Sequence, residues 1–175
     1  MLAIRPANSA DAQHLARIGL AAWEAVVGSW GEDADRLHDN AEAAYYDFCT
    51  RFWPDILVAE WNGDLAGWGS CEKADDFITD LWVQPEFQRK GIGSGLLEVI
   101  EAQIIQRGYP AARLETHARN AGAIRLYKRL GYRVKAYFVT YSDVIDQDID
   151  KVEMIKDFDL DASPEEADED GLYGI

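Results

Sequence analysis

At 175 residues the chain has room for one well-filled core, and its 48% hydrophobic and 11% aromatic content offsets the entropy of ordering, which excludes a disordered chain. No apolar run reaches the ~18 residues of a membrane helix and MLAIRPANSADAQ lacks a signal-peptide core, so the expectation is a soluble, cytoplasmic domain with no membrane partner. A net charge of -15 argues against a nucleic-acid partner, and Cys49 and Cys71 are too few and too isolated for a disulfide framework, a CxxC redox pair or a thiolate zinc site.

Leu2 to Arg5 reads as a short strand closed by Pro6. Asn8 or Ser9 can cap a helix with Asp11 in its first turn, Leu15, Ile18, Ala22 and Val26 on one face and Gly28 as its stop. Gly31 to Asp39 reads as a polar linker. Ala41, Ala44, Tyr45, Phe48 and Phe52 then mark a second helix that ends by Trp53, because Pro54 disfavours helical backbone before it. From Asp55 the period changes to two: DILVAEW and LAGWGSC flank Asn62-Gly63, a pair suited to the positive φ angles of a hairpin turn. Asp76 to Val83 reads as one further strand, with Phe77, Thr79, Leu81 and Val83 on one face. Beyond a basic glycine loop, Ile92, Leu96, Ile100 and Ile104 mark a helix to about Arg107. Ala112 to His117 is a strand, Asn120 caps a helix through Leu130, and Tyr132 to Tyr141 and Val152 to Phe158 are strands. The expected fold is α/β: a mixed, mostly antiparallel central sheet of about seven strands, helices on both faces, and a parallel crossover over Asp76–His117. Residues 1–160 form one domain, and 161–175 form an acidic tail too polar to pack.

The charge is uneven. Residues 88–133 carry nine Lys and Arg against three acids, a basic island in an acidic chain. A small, multiply phosphorylated ligand held at one place accounts for it. Gln88-Arg89-Lys90-Gly91-Ile92-Gly93-Ser94-Gly95 follows a strand and opens a helix, where backbone N–H groups and the helix dipole converge. It is neither a Walker A loop nor a GxGxxG fingerprint, since Leu96 takes the last glycine position. Taken alone, it admits two readings: an anion cradle, or a helix entry that merely uses glycine.

DLWVQPEFQRKGIGSGLL resembles the central motif of the GNAT superfamily of N-acetyltransferases, Gln/Arg-x-x-Gly-x-Gly/Ala, here Gln88, Gly91 and Gly93. LETHARNAGAIRLYKRLGY resembles the second block of that family, at the expected distance. The resemblance implies acetyl-CoA as co-substrate, whose phosphates would explain the basic island. It implies that the pantetheine arm enters where two neighbouring strands splay apart, with Leu81, Trp82 and Val83 giving backbone contacts, and that Gln88, Arg89, Lys90, Gly91, Ile92, Gly93 and Ser94 hold the pyrophosphate. It further implies Asn120 at the pantetheine amides and Tyr127 near the coenzyme sulfur as general acid. A bland reading stands beside each: core packing for Leu81, Val83 and Tyr127, and a helix N-cap for Asn120.

Glu115 matches a strand glutamate that serves as base in some protein N-terminal acetyltransferases of the family. Asp80 lies on the neighbouring strand, and either carboxylate could take the acceptor's proton or simply pair with an arginine. His117 and Tyr141 are lesser candidates. The expected activity is direct acetyl transfer to a primary amine, a small cationic amine or amino compound; a protein N-terminus or lysine is the alternative, and a non-catalytic acetyl-CoA-binding module the rival of another class. Trp23, Trp30, Tyr45, Tyr46, Trp68, Tyr137 and Tyr141 could line the acceptor pocket. Asp146–Asp150 begins like a calcium loop, but Lys151 and Asp157 stand where Gly and Glu are required, so it reads as an acidic hairpin loop. His14, His38 and His117 have no mutual ligand spacing, and no metal is expected. A homodimer is left open.

Overall fold

A computed structural model describes residues 1–31 and 34–159. The chain runs β1 (Leu2–Pro6), α1 (Ala12–Gly28), α2 (Ala34–Phe52), β2 (Ile56–Trp61), β3 (Asp64–Ser70), β4 (Phe77–Ile78), β5 (Asp80–Val83), α3 (Ile92–Gln106), β6 (Ala111–His117), α4 (Ala121–Arg129), β7 (Arg133–Ser142) and β8 (Gln147–Asp157). The mixed α/β class and the parallel crossover are present: β4 and β6, joined through α3, pair parallel at Phe77↔Arg113 and Ile78↔Leu114. Every other strand pairing is antiparallel.

The central sheet is divided. One four-stranded sheet has the order β1-β2-β3-β5, the other β4-β6-β8-β7. The expected single strand over Asp76–Val83 breaks at Thr79, which raises the count from seven strands to eight. Its backbone changes partners there. The Asp76 carbonyl accepts from the Arg113 N–H at 2.8 Å, whereas the Thr79 N–H and hydroxyl both donate to the Ser70 carbonyl on β3, at 2.9 and 3.2 Å. Each bond satisfies a backbone group, so the two halves of one extended segment belong to different sheets.

The hairpin is as expected, with Asn62 and Gly63 at φ +56° and +97°. Helix α2 begins at Ala34 inside the presumed linker, and its inward face is Leu37, Ala41, Tyr45, Phe48 and Cys49, with Ala44 exposed. Val27, not Val26, completes the buried face of α1. No side chain caps α1. Asp11 occupies that position and turns instead to Arg5 (2.8 Å) and the Asn8 N–H (2.9 Å). Gln147–Asp150, read as loop, forms the start of β8, because Ile149 is buried between its acidic neighbours. The acidic tail lies outside the described residues.

The divided sheet has two buried sides. Ile92, Leu96, Ile100 and Ile104 of α3 pack with Leu114, Tyr127, Val152 and Met154 on one side. On the other, Leu15 and Ile18 of α1 pack on Val58 and Trp68, whose indole N–H donates to the Leu15 carbonyl at 2.8 Å. Leu20, Trp23, Val27, Leu37 and Ala41 close over Ile145 and Ile149 at the β7–β8 turn. Among the described residues no helix is long and apolar enough to cross a membrane.

Candidate active site

Beyond Ile78 and Leu114, β5 and β6 part. Among the described residues, β5 has only β3 beside it from Asp80 to Val83, and β6 has only β8 from Glu115 to His117. The cleft-facing edge of β5 is therefore free to pair with an extended ligand. Leu81 and Val83 turn their side chains to the α3 core, while Asp80 and Trp82 face the α1–α2 side, as alternation requires.

Immediately after β5 the chain makes a short turn at Pro85–Phe87 and enters α3. Gly91 caps this helix at φ +82°, a left-handed conformation that glycine adopts without a Cβ penalty. The first i→i−4 bond of the helix runs from the Gly95 N–H to the Gly91 carbonyl (2.9 Å), so the N–H groups of Ile92, Gly93 and Ser94 have no helical acceptor. Arg89, at φ +61°, is exposed and has no partner among the described residues. Lys90 reaches the Glu86 carbonyl at 3.0 Å and lies 4.8 Å from the Phe87 ring centroid. Gln88 donates to the Val83 carbonyl at 3.2 Å, tying the loop to the end of β5. Gly93 places α3 against the cleft wall, where a Cβ would meet Leu126, Val83 and Leu81 at 3.5 to 4.0 Å. A free strand edge, unpaired N–H groups at a helix start and two cations suit an extended ligand with an anionic end.

Tyr127 comes to this cleft from α4. It is 7% exposed, and its hydroxyl makes no hydrogen bond among the described residues. Burial, followed by the charge of Asp80, holds the phenol well above its ordinary pKa. Asn120 caps α4, its Oδ1 accepting from the Ala123 N–H at 3.2 Å, so the cap reading holds for that oxygen.

The two candidate bases differ. Burial pushes Asp80 up to about 6, against the pull of a 2.9 Å hydrogen bond from the Trp82 indole N–H. Glu115 faces the Lys151 ammonium at 3.3 Å. Neither expected arginine holds it: Arg113 binds Asp76 at 2.7 Å, and Arg119 donates to the Trp30 carbonyl at 2.7 Å. His117 lies against Trp30, ring centroids 4.3 Å apart. Cys49, on the inward face of α2, has its thiol pushed up to about 12 by burial and then by Asp80, which keeps it protonated.

Several aromatic candidates lie elsewhere. Trp68 and Trp23 are core, and Tyr137 and Tyr141 are 69% and 56% exposed on β7. Tyr46 lines a separate cavity of about 260 Å³ between α1 and α2, with Gln13, Arg17, Leu20 and Glu42. Tyr45 and Trp30 remain beside the cleft residues, in ring contact with Trp82 and His117. The side chain of Trp82 and Lys151 were absent from the sequence-derived site. The strand alternation that placed Leu81 and Val83 inward already set Trp82 with Asp80; nothing local marked Lys151. Among the described residues no group of three or more His, Cys, Asp and Glu could hold a metal ion.

Four similarities bear on this architecture. The ribosomal protein bS18-alanine N-acetyltransferase of Escherichia coli (strain K12) is 37% identical over 73 residues, 41% of this chain and 49% of that protein. The chain thus spans about half the length of the curated relatives it matches. A GCN5-related N-acetyltransferase from Rhodopseudomonas palustris superposes with a TM-score of 0.77 at 22% identity, over 89% of this chain and 95% of that one. The PaiA N-acetyltransferase of Thermoplasma acidophilum, a complex with coenzyme A, superposes with a TM-score of 0.73 at 20% identity, over 90% and 99%. At these identities both show the fold. The model of the Acetyltransferase (GNAT) family matches residues 18–132, more than half of the chain and the whole stretch from the middle of α1 to the end of the α4 block, so the chain belongs to that family.

Proposed function

We propose that the protein transfers an acetyl group from acetyl-CoA to a primary amine bound in the same cleft. One observation carries this reading: β5 and β6 part beside the N-terminus of α3, with Tyr127, whose hydroxyl has no hydrogen-bond partner among the described residues, on one wall and the Asp80 carboxyl on the other side of the sheet. Bound there, acetyl-CoA supplies an activated acyl thioester. The free edge of β5 at Leu81–Val83 would hold the pantetheine arm, and the N–H groups at the start of α3, with Arg89 and Lys90, would hold the pyrophosphate. Lys90 gives one of its three N–H donors to the Glu86 carbonyl, which leaves two for a phosphate.

An ammonium cannot attack a thioester, so the acceptor nitrogen must first lose a proton. Asp80 is the better-placed base, because a carboxyl near pKa 6 is ionised at neutral pH and still basic enough to accept a proton, whereas Glu115 is engaged by Lys151. Tyr127, kept protonated by burial, gives its proton to the departing sulfur. N–H groups on the free edge of β5 polarise the acyl carbonyl. The carboxylates of Asp80, Glu72 and Glu115 favour a cationic acceptor, a small amine or amino compound. A protein N-terminus is the second reading, and the 37% identity to an enzyme named for the alanine of bS18 favours it.

The test follows free-thiol release from acetyl-CoA with small amines and with peptides bearing a free N-terminal alanine. Turnover on either panel supports acetyl transfer and assigns the acceptor class. No release, together with no thermal stabilisation by saturating acetyl-CoA, would overturn the reading.

A further inference from the structure

Trp82 stands two residues after Asp80 on β5, so both side chains project from the same face of the strand. Its indole Nε1–H donates to Asp80 Oδ1 at 2.9 Å. The ring is itself held: Tyr45 of α2 meets it edge to face, centroids 5.3 Å apart at 89°. A buried tryptophan N–H takes a hydrogen-bond partner, which for Trp68 is the Leu15 backbone carbonyl. Trp82 gives its own to a carboxylate at the mouth of the cleft.

We propose that Trp82 is a positioning residue: its indole N–H holds the Asp80 carboxylate at the opening between β5 and β6, and Tyr45 fixes the indole from α2. This rests on the reading of Asp80 as the group that takes the acceptor's proton. The hydrogen bond favours the charged carboxylate against the burial that disfavours it. Other elements also face Asp80. Glu72, ahead of β4, opposes its ionisation and Lys151 of β8 assists it. Tyr45 and Cys49 of α2 and Tyr127 of α4 feel its charge, but burial keeps all three neutral below pH 8.

Trp82→Phe keeps an aromatic ring and removes the donor. The acid limb of kcat/KM on a primary amine should then move up by about one pH unit, a roughly tenfold loss of rate within the limb. A limb that stays in place in Trp82→Phe overturns the proposal. Should Trp82→Phe not fold, the wild-type protein decides: the Trp82 indole proton resonance should shift with the same midpoint as the Asp80 carboxyl carbon, and an indole resonance indifferent to that titration overturns the proposal. This measurement requires no turnover. A coupled titration in a protein that acetylates no amine would therefore sink the proposed function while leaving the Trp82–Asp80 coupling in place, and the two failures are distinguishable.

Discussion

Burial pushes Tyr127 and Asp80 in the same direction, and their chemistry gives that push opposite meanings. For the phenol it removes the anion from the accessible pH range, so Tyr127 remains a proton carrier throughout. For the carboxyl it brings the midpoint to about 6, so the carboxylate form appears just below neutral pH, as the proposed base role requires. Tyr127→Phe keeps the ring against Tyr132 (5.8 Å between centroids) and deletes the proton, so kcat should fall about 10²-fold with acetyl-CoA affinity nearly unchanged by calorimetry. Loss of affinity along with activity would make the hydroxyl an anchor for the coenzyme instead. Wild-type kcat/KM should decline as pH falls through about 6, because protonated Asp80 cannot accept a proton. Asp80→Asn should abolish that limb, and Glu115→Gln should leave its midpoint in place. A limb that vanishes in Glu115→Gln and persists in Asp80→Asn would transfer the role to Glu115.

The β4–β5 segment shows what an element can do that its residues cannot. Alternation of Phe77, Thr79, Leu81 and Val83 runs unbroken through Thr79, so the sequence reads one strand; the change of partner from β6 to β3 depends on Ser70 of the preceding strand and on Arg113, 37 positions beyond Asp76. The glycine loop, the cap at Asn120 and the core face of α3 were legible because turn chemistry and helical period are local. The start of α2 was obscured by the acidic residues ahead of Ala41, although Leu37 lies one further helical interval back. The ion pair of Glu115 with Lys151 joins strands whose register no local pattern states. On the other side of β5, the backbone of Gly67 packs so closely that a Cβ there would come 2.6 Å from the Trp82 carbonyl oxygen. Gly67→Ala must displace β5, and it should lower stability by about 1 to 3 kcal/mol and weaken acetyl-CoA binding as well. A stability loss with unaltered binding would mean that β5 does not hold the coenzyme. Arg89→Ala, at the helix start and clear of the core, should weaken acetyl-CoA binding about tenfold and leave the melting temperature alone. Equal affinity of the variant and the wild type would remove Arg89 from the coenzyme site.

At the scale of the whole molecule, four electrostatic contributions set how stability depends on pH. Asp11 and Asp76 are held below the usual carboxylate range by hydrogen bonds from Arg5 and Arg113. Their stabilisation is present above that range and lost as pH falls through their folded-state values. Asp80 has the opposite sign: its folded pKa is raised, so its contribution is full below about 4 and disappears as pH rises through about 6. His38, raised by its bond to Glu24, has the same sign as Asp80, but its exposure makes the effect small. The net charge of -15 adds repulsion that grows from mildly acidic to neutral pH and is screened by salt. The melting temperature should therefore peak near pH 5 and fall by about 5 °C toward pH 8 at low salt. Added salt should recover the repulsive part of that fall and leave the Asp80 part, because a buried group is screened far less than a surface one. Asp80→Asn, which has no charge to bury, should flatten what salt does not recover. Thermal melts of both proteins from pH 4 to 8 at two salt concentrations measure each part, and an identical salt-resistant decline in Asp80→Asn would show that the cost of burying charge lies elsewhere than at the β5 cleft.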